Sequence, residues 1–326
     1  MPLPHRLLNL LADGGFHSGE ALGAALDVSR MAVWKHLKAL RELGVDFEVV
    51  HGKGYRLPVS IELLDSERIF SELARSTATH VDTINVFHEL DSTNNWLREQ
   101  SLNGAPSGMV CLAEMQHAGR GRRGRSWVSP YAANLYLSLL WRSTAGAAAL
   151  SGLSLVTGIA VLRCLQAWGV ETAGLKWPND IVAKNSKLAG ILIDVVGEAS
   201  GPCAVILGIG VNVRMPQPAG AEIDQSWTDL HRLIGRSDLS RNQLAAGLLD
   251  QLLPAVAEFE LAGLQPFLEE WRRYDIVEGC QIDLQLPNET VSGTACGIDE
   301  AGALLVETMH GRRRFASGEV SVRIAS

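Results

Sequence analysis

"GRGRRGRSW", Gly119 to Trp127, carries the punctuation of a phosphate-binding loop in two incompatible ways. Gly119, Gly121 and Gly124 fit G-x-G-x-x-G, the turn that opens the first helix of a dinucleotide-binding fold. The stretch also approaches a P-loop, with Arg125-Ser126 where Lys-Ser/Thr belongs. Either motif needs a helix directly after the loop. The next residues are instead "WVSPYAANLYLSLLW", Trp127 to Trp141, which read as a turn and then an alternating strand, so both readings fail. There remains a glycine-hinged loop with Arg120, Arg122, Arg123 and Arg125, whose backbone N–H groups can approach a ligand closely. Mutual repulsion of the guanidinium groups predicts a loop without fixed structure until an anion orders it. A bare basic surface loop is the plain alternative. An RNA-binding tail fits less well, because such tails sit at termini in low-complexity surroundings.

Outward from the loop, Val81 to Glu270 alternates strands with helical runs. "MVCLAEMQ" and "NLYLSLLW" are strand-like, "ALSGLSLVTGIAVLRCLQAWG" is a long helix, and "LAGILIDVVGE" and "CAVILGIGVNV" are buried strands. After "FLEEWRRYD" the last fifty or so residues become short strands between turns, which predicts a small β-barrel; within them "GRRRF", Gly311 to Phe315, reads as a basic turn. "QPAGAEIDQS", Gln217 to Ser226, has little motif character and is expected to be a mobile loop. Upstream, "GEALGAALD" and "RMAVWKHLKALRELG" are two helices around a short turn, Ser29 caps the second, and "FEVVHGKGYRLP" is a hairpin tipped by Gly52 and Gly54.

Helix, turn, helix and hairpin in that order resemble a winged helix-turn-helix. From Ser29 to Arg41 the chain has Arg30, Lys35, Lys38 and Arg41 and no carboxylate. In a major groove, Arg30, Met31, Val33 and Trp34 would reach base edges or sugar, Lys35, Lys38 and the wing residue Lys53 would meet phosphates, and Ser29 would join them at the DNA. A solvated basic face on a small bundle is the bland counterpart.

Composition sets the bounds. The 326 residues allow two or three domains, with 47% apolar and 20% charged residues. A net charge of -7 restricts nucleic-acid binding to a local patch. The five cysteines are scattered at least sixteen residues apart, which excludes CxxC motifs and fits a reducing cytoplasm. The N-terminal apolar run is too short for a signal peptide. Ser143 to Leu162 is uncharged, but its three Ser, two Thr and three Gly favour a buried helix over a membrane span.

"KWPND" (Lys176 to Asp180), "KLAGIL" (Lys187 to Leu192) and "GIGVNV" (Gly208 to Val213) complete the pattern. With "DSTN" (Asp91 to Asn94), "AEMQHAGRGRRGRSW" and the closing "SGEVSVR", the chain resembles biotin–protein ligases, of the bifunctional kind that also represses the biotin operon. The resemblance covers nearly the whole length. It implies an α+β multidomain fold: a winged helix-turn-helix at 1–60, a linker segment at 61–80, a mixed α/β class II synthetase-like ligase domain at 81–270, and an SH3-like β-barrel at 271–326.

It also implies a reaction and a site. Biotin and MgATP give biotinyl-5′-adenylate, and a lysine of the biotin carboxyl carrier protein of acetyl-CoA carboxylase then takes the biotinyl group. Lys187 and Arg122 are the expected catalytic cations, neutralising carboxylate and α-phosphate as the anhydride forms. Ser92, Thr93, Asn94, Gln116, Gly119 and Arg120 join them around biotin; Ser92 and Thr93 could equally cap the helix beginning "STNNWLRE". Arg125, Trp127, Lys176, Asn179, Asp180 and Asn212 join Arg122 around the nucleotide, with Asp180 the expected Mg²⁺ ligand. Asn179 is open between contact and turn, Trp177 and Pro178 shape the turn, and His117 sits behind the contacts. The adenylate-loaded form is expected to dimerise and bind operator DNA, in the cytoplasm and without membrane association. A ligand-sensing regulator without catalysis and a lipoate–protein ligase-like enzyme are the competing classes.

Overall fold

The computed structural model describes residues 3–58, 61–197, 201–236, 238–286, 289–318 and 320–324. Glu198, Pro287 and Glu319, which belong to expected strands or motifs, lie outside the described residues. At the N-terminus α1 (Leu3–Leu11), α2 (Gly19–Leu26) and α3 (Arg30–Glu42) precede the antiparallel hairpin of β1 (Glu48–Val50) and β2 (Gly54–Arg56). The side chains of Ser18 and Ser29 accept N–H bonds from Ala21 (3.0 Å) and Ala32 (3.2 Å), N-caps worth about 1 kcal/mol each. Leu22, Leu26, Val33, Leu37 and Leu40 close a small core of their own.

Residues 61–80 carry α4 (Ser66–Glu72) and α5 (Arg75–Ala78), and Leu64, Ile69 and Leu73 sink into the central core. That core is built on β3 (Thr83–Leu90), α6 (Thr93–Leu102), β4 (Met109–Gln116), β5 (Leu135–Ser143), α7 (Leu153–Ala167), β6 (Ala173–Lys176), β7 (Asp180–Ala183), β8 (Ser186–Gly197) and β9 (Cys203–Val211). Next in the chain come α8 (Gln217–Gly220), α9 (Leu230–Ile234), α10 (Arg241–Ala262) and α11 (Leu268–Tyr274). The seven strands run in the order β3-β4-β5-β9-β8-β7-β6; β3 and β4 are parallel across α6 and the other pairs are antiparallel. The sheet is therefore mixed. Helix α8 takes Gln217–Gly220 of the stretch expected to be a loop; the rest is turns and bends, ending where the Ser226 carbonyl accepts the Lys187 N–H (2.9 Å).

Strand alternation decides what each sheet face does. Leu135, Leu137, Leu139, Val205, Leu207 and Ile209 share the large core with α7 and α10, whereas Cys111, Leu140, Ala204 and Ile206 pack under Leu97 of α6. Past the end of α6, the second face shows Tyr136 opposite Gly210 and Ser138 opposite Gly208. Small residues there leave a hollow. The stretch Ala147–Ala167 is long and apolar enough to cross a bilayer, but Leu155, Val156, Ile159, Ala160 and Leu162 are buried in the core.

The C-terminal sheet joins β10 (Gln281–Gln285), β11 (Thr290–Ile298), β12 (Leu304–Thr308), β13 (Gly311–Phe315) and β14 (Ser321–Ile324) in the order β13-β12-β11-β10-β14, all antiparallel. "GRRRF", expected to be a turn, is the edge strand β13. Its alternate side chains find cross-strand partners on and around β12, which a turn would not provide.

The winged helix is docked on the central domain. Tyr131, Met115 and Ala132 complete its core, and the buried Glu114 accepts the Leu64 N–H (2.5 Å) while pairing with the buried Arg241 (2.7 Å). Removing either partner would strand a buried charge, at about 3–5 kcal/mol.

Candidate functional site

The hollow beyond α6 becomes a cleft lined by Ser92, Thr93, Asn94, Gln116, Arg120, Arg122, Trp127, Asn179 and Lys187. Ser92 holds the N-cap position of α6, but its hydroxyl makes no capping bond among the described residues, and the residue lines the cleft. Thr93 donates from both its N–H and its hydroxyl to Gln116 Oε1 (2.9 and 3.2 Å), and Gln116 Nε2 donates to the Ser129 hydroxyl (3.1 Å). Ser138 lies 2.7 Å from the Thr93 hydroxyl and donates to Asn94 Oδ1 at 2.6 Å. The amide of Asn94 donates to Asp194 (3.0 Å) and to the Leu192 carbonyl (3.3 Å). Such a slot offers neutral polar groups in fixed directions within apolar walls.

Glycines make room for these side chains. A Cβ on Gly208 would stand 2.2 Å from Asn94 Oδ1, and one on Gly210 would stand 2.5 Å from the Trp127 ring. In the arginine loop, Gly119 sits behind the cleft wall, where a Cβ would meet the Trp127 carbonyl at 2.4 Å; Gly121 is the loop glycine that lines the cleft. Gly119, expected around biotin, is also where the loop is pinched: its carbonyl accepts the Trp127 N–H (2.8 Å).

On the other side of Trp127 lies a cationic cleft. Lys187 Nζ pairs with Asp180 at 2.8 Å and stands 5.4 Å from the Trp127 ring centre. Lys176, Arg122, Arg123 and Arg125 line the same space, in which Asp180 is the one carboxylate among the described residues. Burial pulls Lys176 below the usual lysine range, with Asp180 opposing, and burial likewise lowers Arg122. Arg122 donates to Asn179 Oδ1 (3.2 Å) and to the carbonyls of Ser317 and Gly318, while Arg123 reaches the Gln285 carbonyl (3.1 Å). Asn179 in turn donates to the Ile191 carbonyl (2.8 Å), so it serves both turn and cleft. The loop expected to lack structure is thus folded, because its guanidinium groups go to separate acceptors instead of facing one another.

A third hollow, next to Trp127 and Lys187, is lined by Asn212, Met215, Ile223 and Trp227. Asn212 is buried and donates to the Thr228 carbonyl (3.0 Å), yet among the described residues its Oδ1 has no hydrogen-bond partner; neither has Trp127 Nε1. A buried acceptor left open beside an aromatic wall suits the edge of a flat heteroaromatic ring. Sequence reasoning missed Trp227, Ser138, Ser129 and Asp194. A lone serine inside the buried strand "NLYLSLLW" was the readable signal for Ser138. His117 pairs with Glu89 at the surface, away from these hollows.

On the winged helix, Arg30, Met31, Trp34, Lys35, Lys38 and Lys53 are exposed, with Met31 at 72% and Trp34 at 54%. Val33 is not among them. It is fully buried with Leu37 and Leu40, the inward stripe of α3, so its expected contact with bases is withdrawn.

Comparison with known proteins matches a biotin/lipoate A/B protein ligase family model to residues 86–212, an HTH domain to 5–56 and a biotin protein ligase C-terminal domain to 279–323. The bifunctional ligase/repressor BirA of Salmonella typhimurium is 42% identical over 323 residues, covering 99% of this chain and 98% of that protein. Its Bacillus subtilis counterpart is 32% identical, covering 97% of each. The chain belongs to the biotin protein ligase family. A biotin protein ligase from Aquifex aeolicus, solved in complex with biotin and ATP, aligns with a TM-score of 0.64 and 28% identity over 75% of this chain and 100% of that one. The ligase-family match spans Ser92 to Asn212, every residue expected around biotin or nucleotide, and the HTH match spans Ser29 to Lys53.

Proposed function

We propose that this biotin protein ligase makes biotinyl-5′-adenylate from biotin and ATP, passes biotin to a carboxyl carrier protein, and represses biotin synthesis genes when adenylate is bound. The observation that carries the reading is the surplus of cations around Asp180, beside a neutral polar slot. The slot at Ser92, Thr93, Asn94 and Gln116 takes the ureido ring, with the carboxylate toward Lys187, Arg120 and Arg122. The hollow at Asn212 and Trp227 takes adenine, and Arg122, Arg125 and Lys176 face the phosphates.

In the first step a biotin carboxylate oxygen attacks the α-phosphorus, the bond to the β-phosphate oxygen breaks, and pyrophosphate leaves. Lys187 exchanges Asp180 for the negative charge growing between the two substrates, which holds more strongly in a partly buried site than in water. The donors around Asp180 fit a magnesium ion carried in by the nucleotide: among the described residues no three His, Cys, Asp or Glu cluster as a metal cage, and magnesium commonly needs one carboxylate plus phosphates. Asp180 would hold it, and the ion would supply charge neutralisation. In the second step a lysine amine attacks the acyl carbon, AMP leaves with its oxygen, and the amine loses a proton. The loop excludes water until the acceptor arrives.

For the second role, α3 and the wing present Arg30, Met31, Trp34, Lys35, Lys38 and Lys53 to operator DNA, and the adenylate-loaded chain binds it as a dimer. The test is pyrophosphate release by the full chain with MgATP and biotin or lipoate. Release with biotin alone is expected; release with lipoate alone would favour the lipoate class, and release with neither would leave a sensor. Sedimentation with and without biotin and MgATP checks the dimer, and unchanged mass at micromolar protein would count against it.

A further inference from the structure

Asp194 lies on β8, seven residues beyond Lys187 and outside every motif of the sequence. Its carboxylate is about four-fifths buried and joins three elements. Arg120 of the glycine-hinged loop approaches it with both terminal nitrogens, Nη1 at 3.0 Å from one oxygen and Nη2 at 3.4 Å from the other. Asn94, in the first turn of α6, donates to it at 3.0 Å. Arg120 Nη1 also donates to Asn95 Oδ1 at 2.9 Å.

The loop has two flanks. One is held by Arg122 and Arg123 against carbonyls of the C-terminal domain, and the other is tied to the central sheet by Arg120. On the reading proposed above, the loop covers the ligand, and Asn94 helps shape its slot. We infer that Asp194 is a positioning residue that latches Arg120, and with it the near edge of the loop, over the bound acyl-adenylate. The same carboxylate fixes the Asn94 amide, so closing the loop and shaping the slot depend on one group. A fork-like pair of charge-assisted bonds is the geometry that gives such a latch direction as well as strength. Asp194 touches neither carboxylate nor phosphorus in this scheme. Its loss therefore shortens the life of the bound intermediate more than it slows the intermediate's formation.

The experiment uses the full chain and synthetic biotinyl-5′-adenylate as the probe. Asp194→Asn keeps the size of the side chain and an oxygen for Asn94 but removes the charge that Arg120 meets. Release of adenylate is expected to be about tenfold faster, the loss of one charge-assisted contact, with single-turnover formation at saturating biotin and MgATP slowed by less than that factor. Arg120→Ala is expected to speed release similarly, and the double variant no more than Arg120→Ala alone. Wild-type release from Asp194→Asn, or single effects that multiply in the double variant, would overturn the latch. A wild-type chain that forms and binds no adenylate would overturn the ligase reading and the latch together. A thermal midpoint near wild type in Asp194→Asn separates the latch from a fold defect, and Asp194→Glu, which restores the charge, is expected to slow release again.

Discussion

Two runs of the chain follow a glycine with several arginines, and the structure treats them oppositely. In β13, Arg312, Arg313 and Arg314 each meet a carboxylate on a neighbouring segment: Glu307, Glu289 and Asp299 respectively. In the loop after β4, among the described residues, Arg120 alone has such a partner, Arg122 and Arg123 turn to carbonyls, and Arg125 lines a cleft in which Asp180 is already engaged by Lys187. Composition is nearly the same. The difference is local charge balance: a run whose charges are matched is a surface ladder, and a run whose charges exceed their partners has affinity left for an anion. Burial adds to this, since the loop cations stand beside Trp127 and Lys176 in a partly desolvated cleft, where each unmatched charge acts over a lower effective dielectric.

If surplus charge is what makes the loop side a site, removing Lys187 should produce the largest effect. Lys187→Ala is expected to slow single-turnover adenylate formation by about 10²–10³-fold, the scale on which one stabilising group in a transition state operates. Biotin affinity is expected to fall far less, as read by equilibrium titration. Adenylate formed at the normal rate would remove Lys187 from the chemistry and leave the charge comparison without its centre.

Stacking marks where charge stops being the criterion. The hollow that holds Trp227 is lined by Glu222 and Asp224 as well as by Arg125 and Lys187, so its charges balance and it suits a neutral base better than a phosphate. Trp227 is held edge-on by a bond to the Gly220 carbonyl (2.9 Å), with the Arg232 guanidinium 3.9 Å from its ring centre. Trp227→Ala is expected to raise the KM for ATP about tenfold, within the range of base–aromatic stacking, with the KM for biotin nearly unchanged. Equal losses for both substrates would place Trp227 in the frame of the site instead of in the nucleotide hollow.

What was legible in the sequence obeys the same division between local and distant causes. "KWPND" and "KLAGIL" could be read because each carries its chemistry within a few residues, and the hairpin of β7 and β8 does bring Asp180 to Lys187. The winged helix was readable from caps and periodicity, but Val33 was assigned to DNA by its place near the start of α3, although Val33, Leu37 and Leu40 repeat at helical spacing and face inward. Ser138 and Asp194 act on Asn94 across 44 and 100 residues of chain, a distance no local pattern encodes. The folded state of the arginine loop was also out of reach, since its anchors are main-chain carbonyls of residues near 285 and 317.

Lys176 sharpens the comparison through pH. Burial already pulls it below the usual lysine range, so as pH rises it loses its charge before an exposed lysine would. If that charge belongs to the surplus that holds phosphates, the adenylation rate should decline on the alkaline side as Lys176 deprotonates. Lys176→Arg keeps a cation throughout and is expected to move the alkaline limb to higher pH, with the acid limb in place. Superimposable pH–rate profiles would assign Lys176 to packing.

The smallest effect is expected where the charges are matched. Replacing Arg312, Arg313 and Arg314 together by Gln removes three cations, as many as the loop would lose with Arg122, Arg123 and Arg125. Yet the pairs they break are exposed, with arginine side chains between 44% and 60% accessible, and such pairs contribute about 0–1 kcal/mol each. Adenylate formation by the triple variant is expected to stay within about twofold of wild type, and the thermal midpoint to shift by only a few degrees. Gln keeps an unbranched polar side chain out to Cδ, and the backbone ladder does not depend on the guanidinium groups, so β13 retains its pairing with β12 and the carbonyls that receive Arg122 keep their place. Single-turnover assays on both triple variants make the contrast direct: a loss in β13 as deep as the loss in the loop would mean that net positive charge near the site, and not unmatched charge within it, is what gathers the anions.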